Sequence, residues 1–236
     1  GSGGLDFPDG TGIRIQPGDR VILQMHYSVL ESGVESDQTI VEFSVEDNVS
    51  VNAGNLPWLD IGWPSNPQSM LIEAGNDAAS FEHIGDPTLS PLLGEFAPGV
   101  NPTEGLLLYG LLPHMHKLGK RLWLQLERAD GTTERFFEIT QWDFDWQSYY
   151  VFDSPITILP NDQLRLHCTF DNSAANQPFV NGLRRDVSDI TWGEGSDQEM
   201  CTVSMYVHGI ATNEVDCGES APANEGQFNI TFDTSD

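Results

Sequence analysis

Hydrophobic and polar positions alternate with a period of two through much of this chain, as in strands that bury one face. Between Arg20 and Leu30, Val21, Leu23, Met25, Tyr27 and Val29 fall on one side, and Ile22, Gln24, His26 and Ser28 on the other. His26 therefore lies on the wetter face of a predicted strand. Val41, Phe43 and Val45 alternate within Thr39–Glu46, and a shorter strand is expected around Val49–Val51. Residues 53–103 are rich in Pro, Gly, Asn and Asp. They predict short strands between long loops, with Met70–Glu73 the best candidate and His83 in a solvated turn. Gly105–His116 is apolar on both faces, as a central strand would be. Leu118-Gly119 turns the chain into Arg121–Glu127, and Ala129-Asp130-Gly131-Thr132 reads as a hairpin turn returning through Glu134–Thr140. Val151–Ile158, Gln163–Phe170 and Met200–His208 complete the predicted strands. No stretch sustains a helical period, and 23 glycines with 14 prolines break the chain too often for long helices. The expectation is an all-β protein, an antiparallel β-sandwich of jelly-roll type. Residues 1–19 read as an N-terminal loop or linker and 20–236 as one sandwich domain.

The same alternation sorts the reactive side chains. Cys168 shares its face with Leu164, Leu166 and Phe170, and Cys201 with Val203, Met205 and Val207, so both thiols point into apolar surroundings. Met200 falls on the opposite face with Thr202, Ser204, Tyr206 and His208, an unusual place for a methionine unless its sulfur is used. His208 lies about 26 Å along an extended strand from Met200, too far to join one site. His167 points away from the core and is predicted to be solvated. His114 and His116 form an H-x-H pair. On a strand both imidazoles share a face, about 6.6 Å of rise apart. That spacing suits two ligands on one metal ion, with a third from elsewhere, and Met200 is a candidate. A thioether is soft and suits copper, whereas it rarely serves zinc. The competing reading is a core strand that merely ends in two histidines, with Met200 in ordinary packing.

Four ordered segments carry a family resemblance: HMHKLGK from His114, WDFDWQSYYVF from Trp142, CTFDNSAANQP from Cys168 and WGEGSDQEMC from Trp192. With them the chain resembles, from Pro8 to Ile210, the catalytic C-terminal domain of the copper type II ascorbate-dependent monooxygenases, in their bacterial branch. That family includes peptidylglycine α-hydroxylating monooxygenase and dopamine β-monooxygenase. The resemblance implies that His114, His116 and Met200 hold a copper ion that handles O₂. It implies hydroxylation of a C–H bond, with electrons from ascorbate or another reductant. It also implies a Cys168–Cys201 disulfide, leaving Cys217 as a free thiol or an intermolecular contact, with Gly99 near the place of its expected partner. The stretch VILQMHY around His26 resembles the strand that carries one histidine of the family's second, electron-transfer copper. The adjacent histidine pair that completes that site is not in this sequence. His26 is then either a remnant of that site or a plain surface histidine. The second electron is expected from an N-terminal domain, another subunit or a small reductant. The positions that anchor a substrate carboxylate in the peptidylglycine enzyme hold Leu112, Thr202 and Ser204 here, which disfavours a carboxylate-terminated peptide. These residues do not specify the substrate. Tyr109, Trp142, Trp146, Tyr149 and Tyr150 are candidates to line its pocket, or else core aromatics. Two other classes compete: a copper-binding or assembly module without catalysis, and a metal-free sandwich used for adhesion.

Composition narrows the setting. A chain of 236 residues with 39% hydrophobic positions can bury a sizeable core without a disulfide framework. Its 36 acidic and 10 basic residues give a net charge of −26, which repels nucleic acid and anionic membranes alike. The longest apolar run, Leu106–Leu112, is far short of the ~20 residues of a membrane span, so no membrane insertion is expected. No signal peptide is recognisable, and Gly1-Ser2-Gly3-Gly4 reads as a processed or artificial terminus from which any targeting segment is already gone. A disulfide implies an oxidising compartment, so the expected location is secreted, periplasmic or at the cell surface.

Overall fold

The structure is a computed structural model that describes residues 7–20, 40–41, 43–46, 49–180 and 183–210. Within them, eight longer strands follow one another: β1 (Gly54–Trp58), β2 (Ala79–Gly85), β3 (Leu106–His114), β4 (Gly119–Glu127), β5 (Thr133–Ile139), β6 (Tyr150–Ile158), β7 (Gln163–Phe170) and β8 (Thr202–Gly209). They form two four-stranded antiparallel sheets in the orders β1-β8-β3-β6 and β2-β7-β4-β5. Consecutive strands thus cross between sheets except at the β4–β5 hairpin, which is the jelly-roll order. The core lies between the sheets. Leu122, Leu124 and Leu126 of β4 meet Leu164, Leu166 and Phe170 of β7 there, with Val203, Met205 and Val207 of β8 opposite, all fully buried. Each such side chain contributes roughly 1.5–3 kcal/mol by leaving water.

Strand β3 departs from simple alternation for a reason that matters below. Its pairing with β8 slips between Tyr206 and Val207, and its pairing with β6 slips between Leu108 and Gly110. Tyr109 is the extra residue of a β-bulge, which reverses the face of everything after it. Leu106 and Leu108 point into the core before the bulge, and Leu111, Pro113 and Met115 after it. Leu112 and His114 are thereby turned to the outer face. The expected two-sided apolar strand is in fact a one-sided strand with a phase change.

Other expectations need correction. Ile40, Val41 and Phe43–Glu46 are not in a strand and expose their apolar side chains, because no strand among the described residues pairs with them. The predicted Arg20–Leu30 strand, His26 and Cys217 lie outside the described residues. Met70–Glu73 contributes only an isolated bridge from Ile72 to Ile190, while the strands of that region are β1 and β2. His83 is not in a turn. It lies within β2, half-buried with its ring 4.6 Å from that of Trp58. His167 is not simply solvated, since it stacks on Trp123 at 4.7 Å, directly across the β4–β7 ladder. Among the described residues, helical structure is limited to short turns such as Gly62–Ser65 and Leu93–Phe96.

Candidate metal centre

The two histidines sit where the chain leaves the first sheet for the second. His114 ends β3, and Met115 to Leu118 carry the chain to Gly119 at the start of β4. Met115 and Leu118 are fully buried and plug the end of the core. They hold the intervening His116, itself 3% exposed, in place, with half-buried His114 beside it. The Nε2 atoms of the two rings stand 3.1 Å apart. His114 Nδ1 lies 2.6 Å from Gln147 Oε1, and His116 Nδ1 lies 3.0 Å from the Gln198 carbonyl oxygen. Both partners can only accept, so both Nδ1 atoms carry protons, and in the neutral rings both Nε2 atoms are left as acceptors. Two lone pairs at that distance repel unless a proton or a cation lies between them.

The second segment of the centre is WGEGSDQEMC, the irregular stretch that leads into β8. Thr202 pairs with His114 at the end of the β3–β8 ladder, so Met200 lies two residues beyond the last pair, partly buried against the core. Just before it, the chain folds on itself through Gly193 N–H to Glu199 O and Gln198 N–H to Gly195 O. The Glu199 side chain, with no exposed surface, reaches across to the histidine turn. Its Oε2 accepts from His116 N–H at 2.8 Å and its Oε1 from Leu118 N–H at 2.6 Å. Burial pushes this carboxyl up to about 8, against the downward pull of the Leu118, His116 and Met200 amides. Both carboxyl oxygens are thus engaged by close N–H donors of the histidine turn. Cys201, next to Met200, is bonded to Cys168 of β7, with 5.9 Å between Cα atoms. The disulfide ties the segment entering β8 to the opposite sheet.

The remaining motifs supply the surroundings. Trp142 Nε1 donates to the His116 carbonyl at 3.0 Å. Its indole can approach because Gly119 has no side chain, where a Cβ would stand 2.8 Å from Trp142 Cδ1. Phe144 presents its ring edge-on to His116 at 6.0 Å. In CTFDNSAANQP, Asn172 Nδ2 donates to the carbonyls of Ile72, Glu73 and Ser188, and its Oδ1 accepts from Gln177 Nε2. Gln177 Oε1 accepts from Arg185, which also donates to the Asp197 carbonyl behind Gln198. Asp171 pairs with Lys120 at 3.1 Å. This motif is scaffolding that braces both halves of the centre. The other aromatics expected near the pocket are scattered: Tyr109 packs on Tyr206, Tyr150 on Phe137, Tyr149 lies against Gly110, and Trp146 is 73% exposed. His208 bonds instead to the Asn52 carbonyl, away from the centre.

Sequence reasoning missed Gln147, Glu199 and the Gln198 carbonyl. Glu199 had a readable signal, an acidic residue beside an apolar strand start, but nothing local says that its partners lie on the histidine turn.

The donors present fit copper. Both oxygens of Glu199 are engaged by amides and Cys201 is oxidised, so neither competes with a thioether for the two histidines. Two imidazoles side by side are a set that suits copper among other metals, and among the described residues no group of three or more His, Cys, Asp or Glu is gathered around a metal position. A separation of 3.1 Å between the Nε2 atoms is compatible with two bonds of roughly 2 Å to one ion.

Fold and centre together define a jelly-roll domain with a paired-histidine centre at one end of the sandwich. Residues 99–227, over half of the chain, match the family described as copper type II ascorbate-dependent monooxygenase, C-terminal domain, and the chain belongs to that family. No curated protein matches it.

Proposed function

We propose that this domain hydroxylates a C–H bond with O₂ at a copper ion held by His114, His116 and Met200. One observation supports this above the others: two imidazoles whose Nδ1 atoms each meet an acceptor and whose Nε2 atoms stand 3.1 Å apart, inside the family's matched segment. The overall conversion takes C–H, O₂, two electrons and two protons to C–OH and water, with ascorbate or another small reductant as the electron source. Bound copper supplies the one-electron chemistry that lets O₂ react. The protein's residues do the rest. Gln147 and Gln198 orient the two imidazoles. Glu199 and the disulfide keep the Met200 segment beside them, and Met200 sulfur favours the reduced ion.

Leu112, exposed at 38%, and its cross-strand neighbour Ser204 continue the outer face away from His114 and Thr202. We take this uncharged strip as the floor on which substrate lies. The second electron enters from a further domain, another subunit or the reductant itself. The disulfide suits a secreted, periplasmic or cell-surface location, and no helix among the described residues is long and apolar enough to cross a membrane.

The test is copper loading followed by competition with a Cu(I) chelator, comparing wild type, His114→Ala/His116→Ala and Met200→Ala. About one copper per chain is expected in the wild type and none in the double variant. Met200→Ala should lose Cu(I) affinity much more than Cu(II) affinity. Equal copper content in the double variant would sink the site. Copper binding without reductant-dependent O₂ consumption would assign the domain to a non-catalytic copper module.

A further inference from the structure

The two histidines are held by different kinds of acceptor. His116, 3% exposed, gives its Nδ1 proton to a backbone carbonyl, that of Gln198, in a loop closed by its own hydrogen bonds. His114 is more exposed and gives its Nδ1 proton to a side chain, that of Gln147, in the loop between β5 and β6. A backbone carbonyl is the same whatever residue carries it. A side-chain acceptor can be tuned, and this one is the adjustable end of the centre.

We propose that Gln147 is a positioning residue that selects the ring tautomer of His114 and thereby sets the balance between Cu(I) and Cu(II) at the site; the redox part rests on the copper reading above. The direction of the Gln147 amide is fixed by its own contacts. Its Nε2 donates to the Phe144 carbonyl at 2.8 Å, so its Oε1 is the atom left facing His114 at 2.6 Å. An oxygen there accepts and cannot donate, so the proton stays on Nδ1 and Nε2 is kept as the donor atom toward His116. An acceptor on the far nitrogen also raises the basicity of a ligating imidazole. A neutral amide does so less than a carboxylate would. It orients the ring while leaving it a moderate donor, which suits a centre that must be reduced before it meets O₂. The loop that carries Gln147 also brings Phe144 edge-on to His116, so one segment contacts both rings.

The experiment uses the whole chain with Gln147→Leu, which has no acceptor, and Gln147→Glu, which keeps one and adds charge. The first readout needs no metal. Long-range proton–nitrogen NMR of the metal-free protein at pH 8 reports which nitrogen of each histidine is protonated. Wild type should show His114 protonated at Nδ1, Gln147→Leu a mixture at His114 with His116 unchanged, and Gln147→Glu a return to Nδ1. The second readout is copper affinity in each oxidation state together with the Cu(II) electron paramagnetic resonance spectrum. Gln147→Leu should lose about 10–100-fold in affinity, the usual cost of deleting such a partner. Gln147→Glu should recover binding with Cu(II) favoured over Cu(I) relative to wild type. An unchanged His114 tautomer and unchanged affinities in Gln147→Leu would overturn the proposal. If wild type bound no copper, the copper reading and the redox part would fall together, and the tautomer measurement would still decide whether Gln147 orients His114. Thermal unfolding of each variant separates loss of position from loss of fold.

Discussion

Replacing Glu199 by Gln changes one atom and removes one acceptor from a buried clamp. The wild-type carboxyl takes His116 N–H at 2.8 Å and Leu118 N–H at 2.6 Å, one on each oxygen. A glutamine oxygen can keep one of these bonds. The other amide then faces an NH₂ group, donor against donor, with no exposed surface through which water could help. Orphaning a buried donor costs about 1–3 kcal/mol, and above about pH 8, where the carboxyl is ionised, the surviving bond also loses its charged partner. The variant gains something in return, because the burial that pushes this carboxyl up to about 8 no longer opposes folding. The expected net loss is about 2 kcal/mol, or roughly 4–8 °C in melting temperature for a chain of this size. Urea unfolding of the metal-free protein with its disulfide intact measures the stability. Hydrogen exchange at the His116 and Leu118 amides localises it, and one of the two should exchange faster. Unchanged stability with unchanged exchange at both amides would refute the reasoning and mean that a neutral side chain serves as well as the carboxyl.

Two further outcomes follow from the geometry. Cys168→Ala/Cys201→Ala opens a bridge between residues 33 apart in sequence, and the loop entropy released should cost about 3–4 kcal/mol in chemical denaturation; a loss below about 1 kcal/mol would show that the loop is already constrained when unfolded. His167 is held below the ordinary imidazole value chiefly by burial, with Glu82 opposing and Arg121, Arg135 and Arg165 adding to the shift. Its contribution to stability is therefore present above about pH 6.5 and lost as pH falls through the lowered folded value. His167→Gln should lose less stability than wild type between pH 7.5 and 5.5, a comparison in which the other titrating groups cancel. An identical loss in both proteins would mean that His167 does not titrate differently on folding.

Local pattern was enough for much of this protein. Gln163–Phe170 could be read to the residue, because a strand that buries one face alternates, and its neighbours in space need not be known for that. The pairing of His114 with His116 and the inward faces of Cys168 and Cys201 were legible for the same reason. The alternation failed where the ladder slips. Read from Leu106 onward, even-numbered positions should face the core, and His114 would be inside. The bulge at Tyr109 turns it out, and that bulge arises from pairing with β8 and β6. His83 and His167 looked solvated because sequence shows their own strand and not Trp58 or Trp123 lying against them. The clamp of Glu199 on His116 and Leu118, like the contact of Gln147 with His114, joins residues about 80 and 33 positions apart. A hydrogen bond between distant segments leaves no periodic trace in either one. Periodicity reports which way a side chain faces, and only the assembled sandwich decides what it meets there.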